Sequence, residues 1–404
     1  MTRTALIIML AGSMALPACT TSNRQNQPPP MSAQATKRLQ EIAEQELRRG
    51  STFSIRFQAQ LQDMGEVPYD QSTLPLVSPD GHYIATSVGV APEMATLLAE
   101  PGSPSPLATG IEIWKIDHQT GALSATCTLP PPLLLGRSAD TEGFLVESPT
   151  PQGPRKIGKV SWTTGELDWL VDDENVNAFA TIGPRGQLAY STRPVGQEGF
   201  SLVVRNSGGT ELEVGTLEGN WYFPTWSTRN DRLYAFWISP EHDLRLVSML
   251  TISQEAMAAS MKDLDLGGNA TARVAYRAVA VQPVVQGLGS TPTEELLFWH
   301  PGEEQLVAWS PGDKSPFILM ENALAAVHDI SGRYLVTTAD ELRYVDPTRM
   351  NRSVRLHDQV AIPFRTTAAT GHYLLLTPTS DRVSIRALIP SNQSRTILGT
   401  APSS

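Results

Sequence analysis

With 404 residues, 41% of them hydrophobic and 18% charged, the chain can bury a large core and is neither disordered nor fibrous. Its 31 basic residues against 41 acidic ones give a net charge of −10, and no Lys/Arg-rich run occurs, which argues against a nucleic-acid-binding surface. At ~100–200 residues per domain the length suits two or three domains, but a single all-β unit can exceed that range, so composition leaves the count open.

The first element is a targeting signal. Arg3 precedes an apolar stretch from Ala5 to Leu16, too short to span a bilayer at about 20 apolar residues and followed by small residues, as in a secretory leader. Leu16-Pro17-Ala18-Cys19 resembles the lipobox of bacterial lipoproteins, with Pro17 an unusual occupant of its position. That resemblance implies cleavage between Ala18 and Cys19, so residues 1–18 form the signal peptide, and acylation of the Cys19 sulfur and its new amine. Several acyl chains anchor firmly, at about 0.8 kcal/mol per buried methylene. Thr20, rather than Asp, follows the cysteine, which favours the outer membrane, facing the periplasm. The alternative is an ordinary secretory signal with an incidental cysteine.

Lipidation of Cys19 leaves Cys127 as a lone thiol, with no internal disulfide and no cysteine–histidine spacing for zinc or haem. Residues 19–31 read as a tether ending in Pro28-Pro29-Pro30. Over residues 32–50, Ser32 caps a short amphipathic helix with Ala35, Leu39, Ile42, Ala43 and Leu47 on one face and Gly50 at its end. A membrane-surface role for this helix is the second reading, since its apolar face lacks aromatics.

From residue 51 to 404 the pattern is β. Phe53, Ile55, Phe57, Ala59 and Leu61 alternate with polar residues as a half-buried strand. Similar turns then recur between apolar strands, at Ser78-Pro79-Asp80-Gly81, Asp140 to Gly143, Gly183 to Gly186, Thr228 to Asp231, Thr291 to Glu294, Ile330 to Arg333 and Ala369 to His372. Most spacings approach the ~40–50 residues of a four-stranded propeller blade. The two long ones hold insertions, Pro92 to Ala108 and Ser253 to Gly268, with a helical pattern from Gln254 to Met261. The expectation is an all-β, seven-bladed β-propeller behind a short N-terminal helix and tether. Its seam would be closed by pairing the strand at Phe53 to Leu61 with the last blade, where an unpaired apolar edge would otherwise be exposed.

The first unit, with Ser78-Pro79-Asp80-Gly81 ahead of an apolar strand and then Ile111 to Asp117, resembles the WD40-like repeats of periplasmic TolB-type propellers. As architecture the resemblance covers Leu74 to Gly399. No Trp-Asp pair ends a third strand, so the hydrogen-bonded tetrad of true WD40 repeats is not implied. Thr164-Gly165-Glu166-Leu167-Asp168-Trp169 is similar, once, to the TG-x-x-x-W signature of quinoprotein-like propellers, among them the scaffold lipoprotein of the outer-membrane β-barrel assembly machinery.

Catalytic patterns are weak. His242-Asp243, His328-Asp329 and His357-Asp358 are adjacent pairs whose side chains diverge on a strand, and they read as turns or strand ends. Gly136-Arg137-Ser138-Ala139-Asp140 breaks the nucleophile-elbow pattern at its last position, and no phosphate loop occurs. Glu93, Glu100, Glu241, Asp243, Glu303 and Glu304 could form an acidic rim, with a solvated surface as the default. Most of the aromatic stretch Trp221 to Trp226 belongs between blades. The sequence therefore points to no catalytic residue, no metal and no cofactor. It indicates a lipid-anchored, non-catalytic propeller of the bacterial envelope that binds or scaffolds an envelope protein. The competing class is a lactonase- or sugar-lyase-type propeller enzyme, whose site would lie at the central channel.

Overall fold

The computed structural model describes residues 59–390 except 71–72, 89–108, 149–152, 215–217, 228–231, 266–282, 287–292, 301–304, 310–316, 322, 329–333, 339–340, 347–351, 358–360 and 366–372. The signal peptide with Ala18, the lipidation position Cys19, the tether and the helix of residues 32–50 thus lie outside the described residues, as does the Pro92 to Ala108 insertion.

Strand β1 (Ala59–Pro68) is followed by β2 (Leu76–Val77), β3 (Tyr83–Val88), β4 (Thr109–Asp117), β5 (Ala122–Ala139), β6 (Gly143–Ser148), β7 (Lys156–Ser161) and β8 (Leu167–Val171). Strands β2 to β8 form one seven-stranded sheet in sequence order. Four-stranded meanders follow: β9 (Asn175–Ile182), β10 (Leu188–Pro194), β11 (Ser201–Arg205) and β12 (Glu211–Glu213), then β13 (Asn220–Trp226), β14 (Arg232–Ile238), β15 (Leu244–Leu250) and β16 (Lys262–Asp265). Next come β17 (Pro283–Gln286), β18 (Thr293–His300), β19 (Gln305–Trp309) and β20 (Phe317–Glu321), and β21 (Ala323–His328), β22 (Tyr334–Thr338), β23 (Leu342–Asp346) and β24 (Arg352–His357). The last sheet runs β25 (Ile362–Arg365), β26 (Tyr373–Pro378), β27 (Arg382–Pro390) and, outermost, β1.

Period-two alternation builds a propeller from these sheets, because each strand sends successive side chains into two different cores. In β14, Leu233 and Ala235 join a core shared with β10 and β11, whereas Tyr234, Phe236 and Ile238 join one shared with Val307 and Trp309 of β19. In β26, Tyr373 and Leu375 face the core of β22 and β23, while Leu374 and Leu376 face Val77, Ile84 and Ile116 of the first sheet. The last sheet thus packs on the first and closes the ring.

Among the described residues, six continuous sheets, not the seven separate ones expected from the turns, make up the ring. The difference lies in β5, whose first part pairs with β4 up to Leu133 and whose second part pairs with β6 from Leu134. The chain passes through Pro130-Pro131-Pro132 without leaving the extended state, so the outer strand of one unit becomes the inner strand of the next. The sheet folds back about β5, packing Ala85, Ile111 and Ile113 against Phe144, Val146 and Trp162. In the second insertion, helix α1 (Gln254–Ser260) is capped by the Ser253 side chain, which accepts from Ala256 N–H at 3.1 Å, and buries Met257.

Residues 53–58 of the expected closing strand lie outside the described set; the described part, β1 (Ala59–Pro68), overlaps it at residues 59–61 and runs on past Leu61. It pairs antiparallel with β27 from Ala59↔Pro390 to Pro68↔Arg382, with a bulge between Asp63 and Gly65. Gly65 has φ +106°, and its N–H donates to Asp63 Oδ1 at 2.9 Å. This extra residue lets Met64 and Val67, an odd number of positions apart, both enter the seam core.

Candidate aromatic and arginine site on the innermost strands

Three innermost strands in succession lose register with the next strand of their sheet. The shift falls between Leu135 and Ala139 where β5 meets β6, opposite Ala189 to Ser191 where β9 meets β10, and between Tyr222 and Thr225 where β13 meets β14. At two of these bulges a phenylalanine takes left-handed backbone, Phe179 at φ 59° and Phe223 at φ 49°. For a residue with a Cβ, such a conformation costs about 1–3 kcal/mol and persists only where its surroundings enforce it.

Those surroundings are visible. Gly136 lets β5 press onto β6, since a Cβ there would lie 2.5 Å from the Leu145 carbonyl oxygen. Ser138 Oγ accepts from the Ile182 N–H at 2.9 Å and ties β5 to β9. Glu147 accepts from the Phe179 N–H at 2.7 Å and from Arg155 at 3.1 Å, so the carboxylate that holds the bulge is itself neutralised. In β13, Pro224 removes a ladder donor just after Phe223.

The outcome is a cluster of rings on two neighbouring sheets, β9 to β12 and β13 to β16. Phe179 lies 4.2 Å from Phe223, 5.7 Å from Phe200 and 6.0 Å from Tyr222, centroid to centroid. Phe223 is buried against the next core, while Phe179, Phe200 and Tyr222 keep partly exposed faces. Burial pushes the Tyr222 hydroxyl above its ordinary range, an effect opposed by the nearby Arg193. Exposed Arg137 stacks over the Phe223 ring at 5.5 Å, reaching from β5 past β9 to β13. Arg193 stacks over Phe200 at 5.1 Å and donates from Nη1 to the Gln197 carbonyl. Each guanidinium therefore rests against an aromatic ring within cation–π distance. The arrangement sets partly exposed aromatic faces beside two cationic side chains.

The residues singled out from the sequence do not converge here. Ser138, in the broken nucleophile pattern, is a strand tether. His242-Asp243 closes a turn in which Ser239 N–H donates to Asp243 O at 3.0 Å. His328 and His357 end β21 and β24, and the aspartates after them lie outside the described residues. Cys127 is half-buried beside Gly165, where a Cβ would meet its Sγ at 2.3 Å. Of the acidic rim, Glu241 is exposed and Asp243 half-buried; hydrogen bonds from the backbone and Ser239 hold the Glu241 carboxyl below its ordinary range. Glu93, Glu100, Glu303 and Glu304 fall outside the described set. Among the described residues, no three His, Cys, Asp or Glu side chains group as metal ligands. Sequence reasoning passed over Arg137, Phe179, Arg193 and Phe200. Its available signals were strand breakers, Gly136 and Pro224, inside apolar runs.

No family model and no curated protein sequence matches the chain. Among solved structures, it is similar to a catalytically inactive virginiamycin B lyase from Staphylococcus aureus in complex with quinupristin, at 13% identity and TM-score 0.43, over 83% of this chain and 100% of that one. TolB from Acinetobacter baumannii is similar at 10% identity and TM-score 0.34, over 77% of this chain and 80% of that one. A prolyl endopeptidase is similar at 11% identity and TM-score 0.44, over 77% of this chain but only 46% of its own. The chain thus spans about half the length of that peptidase. At these identities neither peptidase nor lyase chemistry carries over.

Proposed function

We propose that the protein is a lipid-anchored, non-catalytic propeller of the bacterial envelope. In this reading Cys19 carries the acyl chains, the tether sets the ring off the periplasmic face of the outer membrane, and the ring binds or scaffolds an envelope protein. The observation that supports a binding role is the run of partly exposed rings flanked by Arg137 and Arg193 and built on two strained phenylalanines. Strain of that kind is kept where it positions groups for recognition.

Two experiments test the reading. Metabolic palmitate labelling and membrane fractionation should both be lost in Cys19→Ser, and label surviving that substitution would remove the anchor. A photo-crosslinking residue at exposed Gln197, beside Arg193, should give a discrete adduct in native membranes, whereas one at Glu255 on α1 should give none. Identical patterns at the two positions would remove the binding surface.

A further inference from the structure

We propose that two segments of the chain compete for the ladder that closes the ring, with Arg395-Thr396-Ile397-Leu398-Gly399 able to displace the first five residues of β1 from β27. The exchange follows from how β1 is held and from what comes after β27.

The bulge divides β1 into unequal halves. After it, Met64, Val67 and, just beyond the strand, Tyr69 are buried in the seam core. Before it, Leu61 and Asp63 are exposed and Gln62 is half-buried, so this half depends chiefly on its ladder to β27. The first sheet backs the bulge itself. A Cβ on Gly121, in the turn between β4 and β5, would lie 3.0 Å from Gln62 Nε2 and 3.5 Å from the Asp63 carbonyl oxygen, and one on Gly65 would lie 3.3 Å from Leu123 Cδ1. Peeling that starts at Ala59 therefore stops at the bulge.

Register supplies the competitor. Ala59, Gln60, Leu61, Gln62 and Asp63 face Pro390, Ile389, Leu388, Ala387 and Arg386 in turn. Residues 391–404 lie outside the described residues; in sequence, Pro390 is followed by the polar run Ser391-Asn392-Gln393-Ser394 and then by Arg395 to Gly399. A four-residue loop is a common hairpin connection, and here it sets Arg395, Thr396, Ile397, Leu398 and Gly399 opposite the same five residues of β27. In that register Ile397 replaces Leu61 opposite Leu388, and Leu398 replaces Gln62 opposite Ala387, which offers the edge a more apolar strand of good β-forming residues. Strand β1 holds the ladder because its pinned half delivers the first half in register.

The exchange releases five residues on the anchor side of the ring. The chain between Cys19 and the ring gains up to roughly 16 Å, at about 3.3 Å per residue, while the β27 edge stays capped. That gain in reach rests on the anchor reading; the exchange itself does not.

The test is disulfide trapping in the full-length chain purified in detergent, with Cys127→Ser removing the lone thiol. Gln60→Cys, Ile389→Cys and Thr396→Cys together give position 389 two possible partners, and peptide mapping without reductant reads their ratio. The disulfide between positions 60 and 389 should predominate, with that between 389 and 396 as the minor product. Consecutive strand amides point to opposite edges, so Leu61→Pro with Gln62→Pro removes one donor to β27 and should raise the minor product relative to the major one about tenfold. Ile397→Pro with Leu398→Pro should instead abolish it. No disulfide between 389 and 396 after the first pair of substitutions, or one undiminished by the second pair, would overturn the proposal. Hydrogen exchange in the chain lacking Ala59–Pro68 gives a reading that needs no β1. It should accelerate more over residues 382–385, beyond the reach of Arg395 to Gly399, than over 386–390, and equal acceleration of the two stretches would likewise overturn the exchange. Trapping in protein that carries no palmitate would uphold the exchange and remove only the gain in reach.

Discussion

Removing β1 is the perturbation that most directly probes how the ring is held shut. The strand makes one ladder, to β27, and supplies Met64 at 3% and Val67 at 0% exposure to the core between the last and first sheets. At about 1.5–3 kcal/mol for each fully buried apolar side chain, these two alone contribute about 3–6 kcal/mol. That is a large share of the ~5–15 kcal/mol that stabilises a typical native protein. The Arg382–Glu66 pair at 3.2 Å is half-exposed on both sides and adds little. Deleting Ala59–Pro68 should therefore lower Tm by roughly 6–12 °C, taking about 2 °C per kcal/mol for a chain of this size.

The loss should also be local. Without β1, strand β27 becomes an edge, so amide exchange should accelerate over residues 382–390 while β15, on the far side of the ring, keeps its protection. Differential scanning calorimetry and hydrogen-exchange mass spectrometry read the two effects. Val67→Ala should show the same exchange pattern at smaller amplitude and guards against a deletion that simply fails to fold. An unchanged melt together with unchanged exchange at residues 382–390 would show that packing between sheets closes the ring and that β1 is an accessory strand.

Other outcomes follow from the innermost strands and the cores behind them. Ser138→Ala removes the acceptor for the Ile182 N–H and should destabilise by about 1–2 kcal/mol in urea titrations; an unchanged midpoint would mean that β5 and β9 are held by apolar contact alone. Burial, reinforced by the charge of Glu211, pushes the Tyr190 hydroxyl from its ordinary 10.0 up to about 12. Below pH 10 the group is neutral folded or unfolded, so its contribution is intact there and is lost as pH rises toward 12; Tyr190→Phe should flatten the fall in the urea midpoint between about pH 10 and 12, and an equal fall in both proteins would refute the assignment. Phe223→Gly relieves about 1–2 kcal/mol of left-handed strain but deletes a side chain only 4% exposed, so it should cost a net ~2–3 kcal/mol, whereas Phe179→Gly, at a partly exposed position, should be nearly neutral. Equal losses would show that Phe179 serves the core rather than the exposed surface.

The architecture was legible because alternation reports which face of a strand is buried, and a propeller buries both in turn. Leu233-Tyr234-Ala235-Phe236 reads as a strand with two apolar faces, and the structure divides those faces between two cores. Sheet continuity was not legible. Gly, Pro and Asp mark reversals of the chain, but Pro130-Pro131-Pro132 is equally compatible with extended backbone, and only the pairing of β5 with both β4 and β6 reveals the shared strand. Nor could alternation carry the seam strand past Leu61. A pattern of period two cannot display a bulge, and the bulge at Asp63 to Gly65 puts Met64, Val67 and Tyr69 inside. The site was hidden for the same reason. Asn175 to Ile182 reads as an ordinary strand until its register with β10 slips and turns Phe179 out of sequence with its neighbours.

That the two left-handed phenylalanines fall on innermost strands has a mechanical basis. An outer strand such as β8, β12 or β16 is paired along one edge only, and a residue forced into left-handed backbone there could relax by fraying. Strands β5, β9 and β13 are pinned by their own ladders and by their neighbours around the axis, through Ser138 and Glu147 and through Phe179 against Phe223. Such strands can hold a phenylalanine at positive φ without giving way. The ring thereby keeps several aromatic faces and two guanidiniums in fixed relation before any ligand arrives, so binding need not order them, and the entropy that ordering would cost is already lost on folding.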